Sequence, residues 1–329
     1  MRQMALRNSI WIVSPMVTRI PEGNPPAFPS ARRVPARFLV GLIVVAIAAI
    51  LGLNLVALKV AILASDPVTA QAFSMIPAIV GMLVYARAAK EPIRLARRWW
   101  PAAGAMAVSL TVVSTLGIAF GVQRVSAGIA ALMISTTPII ALVLETIVFR
   151  QRRSWHGYAG VVIGFLGVAG VALVERQIGG DAQLLGIFSL LLGAFGWALG
   201  LILMKAAANT APRSTLLAWT FIIGAPVLFA IGGLSNGLYV AWSWTVALAI
   251  MYAGVFAKTL SFLLQITAVR LGSPVHASLT AFLMPVFGAL AGFLLLGERI
   301  ETSQMIAALP LLLGVGLVLR SSVTVQHLP

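Results

Sequence analysis

The sequence predicts an all-α integral membrane protein, with ten transmembrane helices arranged as two inverted five-helix repeats. Three observations carry this expectation. First, 60% of the 329 residues are hydrophobic and only 9% are charged, with a mean hydropathy of +1.02. A globular domain is roughly half apolar and about a quarter charged, so 31 charged side chains cannot keep 34.6 kDa in water. Second, long apolar runs follow one another with short connections. Third, a set of polar and proline positions recurs at a nearly constant offset.

A helix needs about 20 apolar residues to cross ~30 Å of hydrocarbon. Ten runs qualify: 38–62, 67–86, 101–122, 125–149, 157–174, 183–206, 214–233, 241–267, 273–296 and 303–320. No soluble domain is inserted between them. Residues 1–36 differ, with Pro21, Pro25, Pro26, Pro29 and Pro35 set among Arg19, Arg32 and Arg33, and read as a disordered basic cytoplasmic tail. The apolar stretch 10–17 contains Pro15 and no small-residue cleavage site follows it, which disfavours a signal peptide. The expected organisation is a tail (1–36), a first repeat (37–177), a second repeat (178–320) and a C-terminal tail (321–329).

The net charge of +15 would suggest a nucleic-acid partner in a soluble chain, but topology explains it here. With the N-terminus inside, seventeen Lys or Arg residues fall on the inner side, from Arg2 through Arg94, Arg152 and Arg213 to Arg320. Only Arg124, Arg176 and Arg299 fall outside. The positive-inside rule then places both termini in the cytoplasm, the loops 63–66, 175–182 and 297–302 outside, and the chain in the inner (plasma) membrane with no nucleic acid bound. Lys59 and Lys205 lie near span ends and are expected to snorkel to the interface.

The repeat is read from Ser126, Pro138 and Lys59, which correspond to Ser273, Pro285 and Lys205 at offsets of 147, 147 and 146. Five spans per half is an odd number, so the halves enter from opposite sides. That is the architecture of secondary transporters with a site near the midplane.

Ser273, Pro274, Val275, His276 and Ala277, then Pro285, then Gly297, Glu298 and Arg299, then Gly314, Val315 and Gly316 resemble the second half of an EamA-type member of the drug/metabolite transporter superfamily. Trp197 to Lys205 resembles the opening helix of the same repeat, and the resemblance covers residues 38–320. It implies a ten-helix carrier of small metabolites, often outward, without ATP. The first half departs from the pattern: Arg150, Gln151 and Arg152 stand opposite Gly297, Glu298 and Arg299, and Leu51 stands where a Trp is usual. Glu298 and Arg299 read as structural, following a Gly that ends a helix.

Enzymatic handles are missing. No Lys follows a Gly as a P-loop needs, His156, His276 and His327 have no metalloprotease spacing, and there is no cysteine. No cofactor, metal site or catalytic residue is expected. What remains is polar chemistry in the bilayer, where an ionisable group suggests function. Lys258 is the deepest, 14 residues from Trp244 and 12 from Arg270, roughly 20 Å from either end of its span at 1.5 Å per residue. With Ser261 and Gln265 at i+3 and i+7 it forms one helical stripe, read either as a cavity wall or as an interhelical hydrogen-bond seam. Asn54 and Trp197 are placed where either could line a central cavity; the other reading is a helix-to-helix hydrogen bond for Asn54 and, as the simpler one, packing for Trp197. Glu145 and His276 are candidates for coupling or gating, against interfacial roles. Pro138 and Pro285 each remove a helix hydrogen bond inside a span, and breaks in both halves point to the site.

The resulting expectation is a non-enzymatic secondary transporter, most simply an exporter. It would move small polar metabolites by alternating access, with Lys258 favouring an anionic group. Its partners are the small-molecule substrate, the lipid bilayer and, as an admissible arrangement, a second copy in a homodimer. The rival readings are a lipid translocase or scramblase of similar fold and, third, an integral membrane transferase.

Overall fold

The computed structural model describes residues 36–149, 154–207, 211–271, 280–299 and 301–324. Every regular element among them is helical. In chain order these are α1 (Ala36–Leu63), α2 (Pro67–Ala88), α3 (Arg97–Val122), α4 (Ala127–Val148), α5 (Trp155–Ala207), α6 (Arg213–Asn236), α7 (Trp244–Ala268), α8 (Thr280–Leu296) and α9 (Thr302–Thr324). Eight of them are long and apolar enough to cross a membrane, and a shorter apolar segment, Leu283–Leu296, lies in α8. The chain is therefore a multi-pass membrane protein.

Local chemistry sets several boundaries. Asp66 caps α2 by accepting from Val68 N at 2.9 Å and Thr69 N at 3.0 Å, with Pro67 in the first helical position, where its missing N–H costs nothing. Ser243 caps α7 by accepting from Val246 N at 3.3 Å. Ala241 N donates to Ala64 O at 2.7 Å, tying the approach to α7 to the end of α1.

Two features depart from the sequence reading. The expected outer loop at 175–182 is reduced to a kink: two helices fill residues 155–207 and meet at Gly180 (φ 70, ψ −153). That conformation is open to glycine alone at little cost; it divides α5 into two helices but leaves no loop between them. The span around Pro138 is jointed. One helix ends at Ile134, Ser135 and Thr136 form a turn, and a second helix starts at Thr137. Pro138 thus sits in the first turn of a new helix instead of kinking a continuous one. The carbonyl of Ile134, which Pro138 cannot serve, accepts from Thr137 Oγ1 at 2.5 Å. Pro285 instead lies inside the helical run of α8. His276 and residues 1–35 lie outside the described residues.

Two stretches are π-helical: Ala107–Val113 within α3 and Ala253–Leu260 within α7. At the 147-residue offset, Ala107 corresponds to Gly254 and Val113 to Leu260, so the two distortions coincide. Single π turns inside helices cluster at functional sites.

Small residues bring the helices together, as they must where lipid is as apolar as leucine. The first part of α5 meets α9 so closely that a Cβ on Gly167 would lie 2.2 Å from Leu311 N, and one on Gly314 would lie 2.4 Å from Gly164 Cα. The offset of 147 carries Gly164 to Leu311 and Gly167 to Gly314, so the Gly164–Gly314 and Gly167–Leu311 contacts exchange with one another. Elsewhere α1 packs on α8, α2 on α6, and α3 on the second part of α5.

Candidate functional site

Inside the bundle, α1, α2, α3, α6, α7 and the second part of α5 enclose a cavity of about 50 Å³. Its polar wall is made by Asn54, Gln71, Ser114, Thr115 and Lys258, and its apolar wall includes Trp197, Phe221 and Phe262. Sites that enclose drug-sized ligands measure ~300–1,000 Å³, so helix movement must accompany binding of anything larger than a few atoms.

Lys258 projects from the π-helical stretch of α7. Its Nζ donates to Gln71 Oε1 and to Ser74 Oγ, each at 2.8 Å. Ser74 Oγ in turn donates to the backbone carbonyl of Gln71 at 2.7 Å. Lys258 therefore lines the cavity and also links α7 to α2. Its partners are an amide and a hydroxyl, and among the described residues no carboxylate pairs with it. With neutral acceptors as its partners, Lys258 has no carboxylate of the described fold to neutralise it.

Asn54 faces the same cavity from α1, and its Oδ1 is buried without a hydrogen-bond partner. A buried acceptor left unmatched costs about 1–3 kcal/mol, so the site holds an unmet demand for a donor next to a donor-rich ammonium. Trp197 stacks on Phe262 with ring centroids 5.8 Å apart and planes 16° from parallel, and Phe221 meets Phe262 edge-on at 6.3 Å. These rings form a flat apolar wall opposite the polar groups.

Other sequence candidates lie elsewhere. Ser261 is buried and its hydroxyl donates to the Ala257 carbonyl of its own helix, while Gln265 lies a turn further along; neither borders the cavity. Glu145 and Lys205 form an ion pair at 2.8 Å, and Lys59 pairs with Glu298. Each of these two lysines thus has a carboxylate partner, and the Lys205 side chain is still 56% exposed. Glu298 is likewise more than a charge at a helix exit: its Oε2 accepts from Ala127 N at 2.7 Å.

Sequence reasoning missed Gln71, Ser74, Ser114 and Thr115. A signal existed: Gln71 and Ser74 are i, i+3 polar neighbours within an apolar span, the spacing that puts two side chains on one helical face.

The pattern of the EamA-like transporter family matches residues 39–173 and again 184–320. A WAT1-related chloroplast protein of Arabidopsis thaliana is 25% identical over 278 residues, covering 81% of this chain and 66% of that protein, so the chain spans just under two thirds of that relative. A probable amino-acid metabolite efflux pump of Escherichia coli is 23% identical over 286 residues, covering 83% of this chain and 92% of its own. One solved crystal structure superposes with a TM-score of 0.59 at 15% identity, covering 87% of this chain and 97% of that one.

Proposed function

The chain belongs to the EamA-like transporter family, and from that premise we propose that it is a secondary carrier exporting small metabolites with an anionic group by alternating access. In this reading the ten spans form two inverted five-helix halves, with both termini in the cytoplasm and the chain in the inner membrane. The exchange of the Gly164–Gly314 and Gly167–Leu311 contacts, together with the coincident π-helical stretches, supports the two-fold arrangement. The excess of Lys and Arg on one set of loops supports the orientation.

One observation carries the substrate reading. Lys258 stands on the wall of an internal cavity with only neutral partners. A cation at bilayer depth costs ~2.5–3.5 kcal/mol on insertion scales, and no acid in the described fold offsets it. An entering carboxylate or similar anion would. Asn54 Oδ1 would accept from an N–H or O–H of the same molecule, and the Trp197–Phe262 wall suits a flat or aliphatic remainder. An amino acid fits this description, which agrees in kind with the efflux activity named for the E. coli relative.

The test is metabolite profiling of the medium from cells with and without the protein. The expected result is a set of small carboxylates or zwitterions that accumulates outside only when the protein is present. Accumulation of none, or of lipids alone, would overturn the reading.

A further inference from the structure

Outside the cavity the fold contains two lysine–carboxylate pairs that the substrate site does not use. We propose that Lys59–Glu298 and Lys205–Glu145 are gate latches at opposite ends of the transport route, released in turn as the cavity opens to one side and then the other. This rests on the carrier reading above.

Their placement comes first. Glu298 holds Lys59 near the end of α1 and accepts from Ala127 N, the first residue of α4. Glu145 lies near the far end of α4 and holds Lys205 near the end of α5, at 2.8 Å. Ala127 and Glu145 are 18 residues apart on one span, roughly 27 Å at 1.5 Å per residue. The two pairs therefore close opposite ends of the same bundle.

The pairs are equivalent although their acids are not. Lys59 and Lys205 correspond at an offset of 146, but the counterpart of Glu145 at 147 is Gly292. A Cβ added to Gly292 would lie 2.6 Å from Glu298 Oε2. The carboxylate missing from position 292 is thus supplied from six residues further on, into the space the glycine leaves. Gly297 makes this reach feasible: its φ of +67° turns the chain back so that Glu298 N donates to Gly292 O at 3.1 Å. A left-handed residue of this kind strongly favours glycine. Two different sequence solutions arrive at one arrangement, a cation at the end of each half's first helix held by an acid, and chance packing does not require that.

The span joining the two pairs is broken at Ser135–Thr136, so Ala127–Ile134 carries the Glu298 end and Thr137–Phe149 carries the Glu145 end. One half can move with its latch open while the other stays fixed. The ends are not equal in strength. The side chains of Lys59 and Glu298 are 17% and 19% exposed, against 56% for Lys205, and Glu298 also gains the positive end of a helix.

The chain has no cysteine, so Thr115→Cys on the cavity wall supplies a single reporter thiol. Its modification by a membrane-impermeant maleimide is measured from each face, in right-side-out and inside-out vesicles. Lys59→Met is expected to raise labelling from the Lys59 face about tenfold, as loss of a latch shifts the population, with no rise from the other face. Lys205→Met should do the converse. Glu298→Gln keeps an acceptor for Ala127 N but loses the charge, so it should follow Lys59→Met; a silent Glu298→Gln would mean that Glu298 merely caps a helix and would overturn the proposal. Equal rises from both faces, or absence of all three variants from the membrane, would mark the pairs as structural and overturn it too. A reporter thiol that is reachable but indifferent to all three variants would count against the latches alone. One unreachable from either face in every background would count against alternating access itself.

Discussion

The π-helical stretches of α3 and α7 occupy corresponding places in the two halves, and each reaches across to a helix that also corresponds. In α7, Lys258 Nζ donates to Ser74 Oγ of α2 at 2.8 Å. In α3, Thr111 Oγ1 donates to the Thr220 carbonyl of α6 at 3.4 Å. Lys258 maps onto Thr111 at an offset of 147, and Ser74 onto Thr220 at 146. The same helix crossing is thus made once with a charge and once without. The uncharged version shows that the crossing needs only a modest hydrogen bond, of the ~0.6 kcal/mol typical between membrane helices. The ammonium, which costs several times that to insert, is more than the crossing requires.

The largest effect is expected from Thr111→Lys. Thr111 is fully buried, and a second ammonium there would meet a backbone carbonyl with no amide side chain arranged for it. A cost of ~2.5–3.5 kcal/mol should cut accumulation in the membrane severely, as measured by quantifying folded protein in purified membranes; normal accumulation would mean that any residue is tolerated at this crossing. Next is Asn54→Leu. Removing a buried acceptor that has no partner should leave thermal stability unchanged or raised, by up to about 1–3 kcal/mol, while efflux falls about tenfold, the effect of ~1.4 kcal/mol of lost binding. A melting temperature that drops instead would place Asn54 among the structural hydrogen bonds.

Smaller effects should come from the groups that orient Lys258 without meeting substrate through their own charge. Gln71→Leu removes one of its two acceptors, and a loss of about two- to fivefold in efflux is expected, in line with a net hydrogen bond of ~0.5–1.5 kcal/mol. Thr111→Val should be the mildest change, within about twofold in efflux and ~0.6 kcal/mol in stability, because it touches only the uncharged crossing. An effect as large as that of Gln71→Leu would erase the distinction between the halves.

Much of this was legible in the sequence, for physical reasons. Bilayer thickness forces long apolar runs, so the spans could be read without a fold. The depth of Lys258 follows from counting residues along a helix. The stripe Lys258, Ser261, Gln265 failed because it assumed a uniform α-helix. A π turn closes i→i+5 bonds and changes the phase just ahead of Ser261, whose hydroxyl turns back onto Ala257. The connection at 175–182 is tighter than the gap between the apolar runs suggests, because only Gly180 leaves the helical conformation. Glu298 and Lys59 are 239 residues apart, and no local pattern joins them. The repeat did hold a clue, since two corresponding lysines with one corresponding acid leave a partner to be found.

The central claim is that the charge of Lys258 binds substrate. Its most direct test is the metabolite profile of the medium from cells producing the wild type, Lys258→Met or Lys258→Arg, normalised to folded protein in the membrane. Met keeps length without charge, while Arg keeps charge with a different donor geometry. The account predicts that Lys258→Met inserts normally, since it relieves an insertion cost, yet releases the transported metabolites no faster than cells lacking the protein, with Lys258→Arg partly active. Release at the wild-type rate by Lys258→Met would contradict it.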